Sequence, residues 1–199
     1  MGINVAPNKI ILLDRDGVIN KKADEDDYIK SWEAFDWIKD NVDGLIKLSE
    51  KGFQFIVLTN QAGVARGKMT RADLEHIHQK MVEHLSSINV KVLDVFACMH
   101  NRHEGCDCRK PMPGLFMQAA KAYGFDLEKT LYIGDDPKDC KAACAAGSNS
   151  IFLGSPQRLD DLTFHEKPIK VANSIKEVVP FLETYFKQSK AKNQSEKLF

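Results

Sequence analysis

Short apolar runs alternate with amphipathic stretches along most of this chain. The predicted strands cover residues 9–13, 53–58, 92–97, 130–133 and 150–153. Four predicted helices cover residues 42–51, 114–123, 137–146 and 175–187. A further helix is predicted to start at a capping box formed by Thr70 and Asp73. This alternation is typical of an α/β protein. We therefore expect a doubly wound, mostly parallel sheet in a single domain at 1–187, and a polar, flexible tail at 188–199.

Polar residues follow three of the predicted strands directly. Asp14, Thr59 and Asp135 stand at or next to the points where the apolar runs end. Ligands of open parallel sheets bind outside the carboxyl ends of the strands, so these distant residues are predicted to converge at one edge.

Composition narrows the class of protein. The chain has 199 residues, 43% hydrophobic and 28% charged, and its 28 Lys and Arg residues balance 28 Asp and Glu residues. Without a global basic field, nucleic acid is not the expected partner. The longest apolar run near the start, Ile10–Leu13, is too short for a membrane span or signal segment. We expect a soluble, cytoplasmic monomer with no membrane partner.

The sequence from Asp14 to Asn20 carries two carboxylates beside a glycine, directly after a buried strand. Asp14 and Asp16 offer hard oxygen ligands for Mg²⁺. One carboxylate could alternatively attack phosphorus while the other transfers a proton. A lone Asp-x-Asp is also common as a solvated acidic turn, so this motif alone does not establish a metal site or a nucleophile.

Two further segments offer groups that bind phosphate. Thr59, Asn60 and Gln61 provide a hydroxyl and two amides, while Arg109 and Lys110 provide a planar fork and a point charge. The alternative interpretation of residues 59–61 is a polar strand end with no ligand, and that of Arg109 and Lys110 is a pair of exposed cations.

The carboxylate of Asp135 is placed to complete a Mg²⁺ site with Asp14. Asp139 either supports that site or helps to cap the helix that starts at Pro137, and Asp136 is a natural N-cap for the same helix.

A short segment contains three cysteines and a histidine with the spacing of a structural zinc site. The proposed ligands are Cys98, His100, Cys106 and Cys108. Three thiolates and one imidazole match tetrahedral zinc with no open position, which indicates a structural zinc-binding loop. His103 could replace His100, and buried free thiols are the alternative.

These ordered motifs resemble the haloacid dehalogenase superfamily of phosphotransferases. The resemblance covers roughly residues 8–155 and rests on four pieces: Asp14-x-Asp16-Gly17, Thr59-Asn60-Gln61, Lys110, and Gly134-Asp135 followed by Asp139. The zinc loop and the segments 17–20, 28–37 and 60–67 resemble the heptose-1,7-bisphosphate phosphatases. The short spacing between His100 and Cys106 is equally similar to the histidinol-phosphate phosphatases.

The resemblance implies a role for each catalytic residue. Asp14 would be the nucleophile that forms an aspartyl-phosphate, and Asp16 would protonate the leaving group and later activate water. Asp14, Asp135 and the backbone carbonyl of Asp16 would hold Mg²⁺. Thr59 and Lys110 would neutralise the transferring phosphoryl group.

The resemblance also implies a substrate. Asn60, Gln61, Arg109 and Lys110 would bind a sugar phosphate, with Arg109 on a remote part of it. The implied reaction removes the 7-phosphate of heptose 1,7-bisphosphate, with histidinol phosphate or another small sugar phosphate as the alternative, and little or no cap domain is expected over the site.

Two other classes of protein fit the sequence less well. A signalling receiver domain would carry its acceptor Asp where this chain has Thr59, and it would not need a zinc loop. A zinc-stapled interaction module with a dead active site would not need the complete set of reactive residues.

Overall fold

A computed structural model of the protein describes residues 9–25 and 27–195. Six parallel strands form a sheet in the spatial order β3-β2-β1-β4-β5-β6. The strands are β1 (Ile10–Leu13), β2 (Gln54–Asn60), β3 (Val92–Cys98), β4 (Leu131–Gly134), β5 (Asn149–Leu153) and β6 (Lys170–Ala172). The helices are α1 (Lys39–Glu50), α2 (Arg71–Ser87), α3 (Gly114–Tyr123), α4 (Pro137–Ala145) and α5 (Ile175–Ser195).

Strand β1 is buried on both faces, as expected for the centre of a parallel sheet. Ile11 and Leu13 belong to the larger hydrophobic core, to which α1, α2 and α5 contribute. Ile10 and Leu12 point the other way, into a second core with α3 and α4. Helices therefore cover both faces, and the predicted doubly wound parallel sheet is confirmed.

The chain reverses its winding direction at β1, which pairs with β2 on one side and β4 on the other. This switch point brings the carboxyl ends of three strands together, and it is where open α/β sheets bind their ligands. Asp14 continues the ladder, because its amide donates to the carbonyl of Ile133 at 2.9 Å.

Two helices begin as the sequence predicts. Thr70 and Asp73 form a reciprocal capping box at α2, in which Asp takes the place of the more usual Glu. Asp136 and Asp139 form a second box at α4, with Pro137 in the first turn. This second box fixes the position of the Asp139 carboxylate beside the end of β4.

The structure corrects several predicted boundaries. Thr59 and Asn60 lie inside β2, and β6 was not predicted. Helix α1 starts earlier, at Lys39, and α5 continues to Ser195, well into the segment predicted as a flexible tail. Its polar, Lys-rich composition is compatible with a helix because Lys and Gln are good helix formers. Residues 196–199 of that tail, and residues 1–8, lie outside the described residues.

Between these elements the described residues form three short 3₁₀ turns and no separate cap domain. None of the helices in the described ranges combines the length and the apolar composition needed to cross a bilayer.

Candidate active site

Asp14 lies buried at the end of β1, in contact with a lysine. Its Oδ1 accepts a hydrogen bond from the Arg15 amide at 2.8 Å and lies 3.0 Å from Nζ of Lys110. Burial raises the pKa of Asp14 to about 7 against the lowering effect of Lys110, and the carboxylates of Asp139 and Asp135 add to the rise. The charged form of Asp14 therefore depends on nearby cations.

Lys110 reaches this position from the loop before α3, and it is almost fully buried. Its ammonium lies 3.0 Å from Asp14 Oδ1 and 2.7 Å from Asp139 Oδ1. It also donates to the Leu58 carbonyl at 3.0 Å and to the Tyr132 hydroxyl at 2.6 Å. Burial alone would lower the pKa of Lys110, but Asp139 and Asp14 outweigh it and raise the pKa. The lysine is thus a fixed positive charge beside Asp14.

Asn60, predicted to bind substrate, holds the main chain of Lys110. Its Nδ2 donates to the Lys110 carbonyl at 3.0 Å, and its Oδ1 accepts from the Lys110 amide at 3.1 Å. This pair of hydrogen bonds connects the end of β2 to the distant loop. Asn60 also lines the cavity in front of Asp14, so its predicted contact with substrate stays a prediction.

The carboxylate of Asp16 is surrounded by donors. Nε and Nη2 of Arg15 lie 3.2 and 2.9 Å from Oδ1, and Nη2 lies 3.0 Å from Oδ2. Asn20 donates to Oδ1 at 2.8 Å, and Gln61 donates to Oδ2 at 2.7 Å. Burial would raise the pKa of Asp16, but the Arg15 guanidinium and these hydrogen bonds hold it below its usual value.

Thr59 is buried at the end of β2 with its hydroxyl facing the same site. Its Oγ1 accepts a hydrogen bond from Nε2 of Gln61 at 2.9 Å. Because the oxygen acts as acceptor there, its proton remains available to donate to a phosphate. Gln61, also predicted to bind substrate, uses one amide nitrogen for both Thr59 and Asp16.

Three carboxyl groups converge at the ends of β1 and β4. Oxygens of Asp14, Asp135 and Asp139 all lie within 4.8 Å of one another. Asp139 is the most engaged of the three, since its Oδ2 accepts from two backbone amides, at 3.1 Å from Asp135 and at 3.0 Å from Asp136. Asp16 contributes no side-chain oxygen to this group, and the predicted role of its backbone carbonyl stays a prediction.

Asp135 has the features of a cation ligand. Its Oδ2 lies 2.6 Å from Nζ of Lys22, while its buried Oδ1 has no hydrogen-bond partner among the described residues. Burial raises the pKa of Asp135, partly offset by Lys22. A Cβ at position 17 would collide with this carboxylate, so Gly17 is required for the close approach. Oxygen ligands with an unsatisfied buried atom fit a divalent ion such as Mg²⁺.

The predicted zinc ligands also converge. One ligand atom from each of Cys98, His100, Cys106 and Cys108 lies within 4.8 Å of the others. Sγ of Cys98 lies 3.7 Å from Sγ of Cys106, and Nδ1 of His100 lies 3.2 Å from Sγ of Cys108. A tetrahedron with Zn–S bonds of ~2.3 Å has sulfur–sulfur edges of about 3.8 Å, so the donor set fits zinc.

Two cavities share a cationic wall made by Arg109, Lys110 and Lys138. The smaller one, of about 170 Å³, is lined by Asp14, Asp16, Lys22, Thr59, Asn60, Arg109, Lys110, Asp136, Lys138 and Asp139. The larger one, of about 620 Å³, is lined by Asn101, Arg102, Gly105, Cys106, Arg109, Lys110, Pro111, Met112 and Lys138. The reactive groups therefore adjoin a wider space beside the zinc loop.

Sequence reasoning missed several contributors to the site. Lys22 and Lys138 lie among polar residues typical of a protein surface, and Tyr132 lies in a strand where it is expected to be a core residue. Lys22 pairs with Asp135 and Tyr132 with Lys110, and both partners are far along the chain. Lys138 pairs with nearby Asp136, but no local pattern shows that it lines a cavity.

This fold and this site define a phosphatase of the haloacid dehalogenase class. The family model for polynucleotide kinase 3 phosphatase matches residues 9–151, and the chain belongs to that family. Among curated relatives, D-glycero-β-D-manno-heptose-1,7-bisphosphate 7-phosphatase of Pseudomonas putida is 39% identical over 145 residues, which cover 73% of this chain and 82% of the relative. The resemblance that the motifs indicate is confirmed.

A solved structure agrees with this assignment, and a second group of relatives also matches the chain. D,D-heptose 1,7-bisphosphate phosphatase from Bordetella bronchiseptica, solved with magnesium and phosphate, superposes with a TM-score of 0.79 at 31% identity. The superposition covers 88% of this chain and 98% of that one. The histidine biosynthesis bifunctional protein HisB of Campylobacter jejuni is 32% identical over 146 residues, covering 73% of this chain but only 42% of that protein.

Proposed function

We propose that this protein hydrolyses the 7-phosphate of heptose 1,7-bisphosphate through a phosphorylated Asp14. The observation that carries the proposal is the contact between buried Asp14 and Lys110, at a switch point shared with Asp16 and Asp135. The heptose bisphosphate phosphatases of Pseudomonas and Bordetella support the choice of substrate.

In the first step Asp14 attacks phosphorus. Among the described residues the hydrogen bonds from Arg15 and Lys110 both fall on Oδ1, which makes Oδ2 the attacking atom. A bond forms between Oδ2 and phosphorus, the bond from phosphorus to the sugar oxygen breaks, and Asp16 gives that oxygen its proton. Lys110 and Thr59 stabilise the negative charge of the phosphoryl group in the transition state.

In the second step water attacks the phosphorus of the aspartyl-phosphate, and Asp16 takes the proton of the water. Inorganic phosphate leaves and Asp14 is restored. The lowered pKa of Asp16 keeps the carboxylate ionised, which is the form that can accept this proton. Its role as acid needs a higher pKa, and the negative charge of a bound phosphate raises the pKa of a neighbouring carboxyl group.

Asp14 and Asp135, together with the backbone carbonyl of Asp16, are the groups that we expect to hold Mg²⁺. When bound, the ion would offset the negative charge of the carboxylates and of the phosphate. The magnesium and phosphate in the Bordetella structure support this choice of ion. Cys98, His100, Cys106 and Cys108 would hold a structural zinc ion, which fixes the loop that carries Arg109 and Lys110.

The wider cavity is the proposed site of the rest of the substrate. Arg109 and Lys138 line both cavities, so they lie between the transferring phosphoryl group and the space beyond it. We assign the retained 1-phosphate to this cationic wall, since Arg and Lys both bind phosphate.

Phosphate release from heptose 1,7-bisphosphate and from histidinol phosphate tests the proposal. We expect faster turnover of the heptose ester, loss of activity in Asp14→Asn, and normal activity in Asp36→Asn, an exposed carboxylate paired with Lys21. Acid-quenched wild type should carry a phosphorylated aspartate that Asp14→Asn lacks. Full activity of Asp14→Asn would remove Asp14 as nucleophile.

Histidinol phosphate is the second candidate substrate. The HisB relatives and the short spacing between His100 and Cys106 favour it. A larger kcat/KM for histidinol phosphate would assign the protein to that reaction while leaving the chemistry of Asp14 unchanged.

A further inference from the structure

A buried guanidinium lies behind Asp16, and the proposed reaction does not use it. Arg15 is fully buried although it follows the nucleophile directly in sequence. Its Nε and Nη2 both contact Oδ1 of Asp16, and Nη2 also contacts Oδ2. A guanidinium that contacts both oxygens of a carboxylate fixes the plane of that carboxylate as well as its charge.

The third nitrogen of this guanidinium contacts a side chain of α2. Nη1 of Arg15 lies 2.9 Å from Nε2 of His78, which is 63 residues further along the chain. A guanidinium can only donate, so Nε2 must accept, and the ring proton must sit on Nδ1. Burial and the charge of Arg15 lower the pKa of His78 to about 3, which keeps the ring a neutral acceptor.

We propose that His78 is a positioning residue for Asp16 and acts through Arg15. The imidazole fixes the guanidinium, and the guanidinium holds the carboxylate at the angle that proton transfer needs. The inference rests on the proposed function, because that function makes Asp16 the acid and base. Without His78, Nη1 is left as a buried donor that must find another acceptor, and the guanidinium turns away from Asp16.

A leaving-group comparison separates this role from simple packing. A sugar alkoxide needs a proton from Asp16 to leave, whereas p-nitrophenolate leaves without one. The ratio kcat/KM reports the steps up to phosphorylation of Asp14. A misplaced Asp16 therefore lowers kcat/KM for a sugar phosphate and leaves kcat/KM for p-nitrophenyl phosphate almost unchanged.

The experiment measures both substrates with His78→Leu, His78→Gln and the control His76→Leu, which alters an exposed histidine on the same helix. For His78→Leu we expect about a tenfold loss of kcat/KM with heptose 1,7-bisphosphate and a loss below about threefold with p-nitrophenyl phosphate. His78→Gln retains an acceptor and should recover most of the loss. In an Asp16→Asn background, His78→Leu should add no further loss, because both act on one step.

Chemical rescue supplies a second route if His78→Leu does not fold. A cavity of about 350 Å³ between α2 and β3 reaches His78, and Glu75, Gln79 and Val82 line it. Added imidazole should therefore restore activity on the sugar phosphate to His78→Ala, with little effect on the wild type.

An equal loss with both substrates, or no loss with either, would overturn the assignment of His78. So would the failure of both His78→Gln and imidazole to restore activity. A wild type that hydrolyses neither ester would instead remove the proposed function, and the inference with it. Wild-type turnover combined with a nonselective loss removes only the inference.

Discussion

The ammonium of Lys22 lies 2.6 Å from Oδ2 of Asp135, the carboxylate at the end of β4. Burial lowers the pKa of Lys22, but Asp135 outweighs this effect and raises it, so the lysine stays charged. The same carboxylate is a proposed ligand of Mg²⁺. Lys22 and a divalent ion therefore compete for one side chain.

This competition predicts that Lys22→Met binds Mg²⁺ more tightly than the wild type does in the absence of substrate. Removing one positive charge at this distance should lower the dissociation constant roughly tenfold, which corresponds to about 1.4 kcal/mol. Isothermal titration calorimetry measures the effect directly. Lys21→Met is the matched control, because Nζ of Lys21 pairs with exposed Asp36 at 2.6 Å. Equal or weaker binding by Lys22→Met would contradict the competition.

A second prediction concerns Asn60, whose side chain makes two hydrogen bonds to the main chain of Lys110. Asn60→Ala should lower kcat by roughly tenfold or more, since two hydrogen bonds of about 1 kcal/mol each hold the lysine loop in place. Steady-state kinetics with the sugar phosphate separates this effect from substrate binding. A raised KM with unchanged kcat would show that Asn60 acts on substrate binding alone.

The control for Asn60 is Asn149→Ala. Asn149 is exposed and donates to the Tyr185 hydroxyl at 3.0 Å, away from the groups that line the site. Its kcat and KM should match those of the wild type.

A third prediction concerns the zinc loop. Purified protein should contain about one zinc ion per chain, retained under mild chelation that removes Mg²⁺. Cys106→Ser should lose the zinc. It should also have lower activity, because Arg109 and Lys110 directly follow the last proposed ligand, Cys108. Elemental analysis and phosphate release measure the two effects. Cys144→Ser, outside the ligand cluster, should keep both. A Cys106→Ser protein with full zinc content would refute the assignment of this ligand.

The residues that sequence reasoning could place are those at the ends of buried strands. Asp14, Thr59 and Asp135 follow or end apolar runs, and the rule that parallel strands present their carboxyl ends at one edge brings them together. Lys110 could be placed only through the family resemblance, because its loop has no periodicity that predicts where it folds.

The contacts that could not be predicted depend on side-chain direction in three dimensions. Arg15 turns back onto the neighbouring Asp16, and His78 lies among ordinary polar residues of a surface helix. Tyr132 reads as a core residue, yet its hydroxyl meets Lys110 and Asp139. Such polar contacts leave no trace in hydrophobic periodicity, which reports only which face of an element is buried.

The fourth prediction concerns stability and pH. Burial and Arg15 lower the pKa of His78 from 6.5 to about 3 in the folded protein. Between these values the unfolded chain binds a proton at His78 that the folded protein does not. The stability that His78 contributes is therefore complete above pH 6.5 and is lost progressively as the pH falls towards 3.

His78→Gln has no such proton to take up, so it should lose less stability than the wild type when the pH falls from 7 to 5. The difference should reach on the order of 1 kcal/mol in the free energy of unfolding, measured by urea denaturation at both pH values. Protonation of the zinc ligands and of the carboxylates affects both proteins alike, so comparing the two curves isolates His78. His76→Gln, which changes an exposed histidine, should follow the wild type. If the His78→Gln and wild-type curves run parallel, the histidine at 78 takes up its proton in the folded protein as readily as in the unfolded chain, and the neutral acceptor for Arg15 is lost with it.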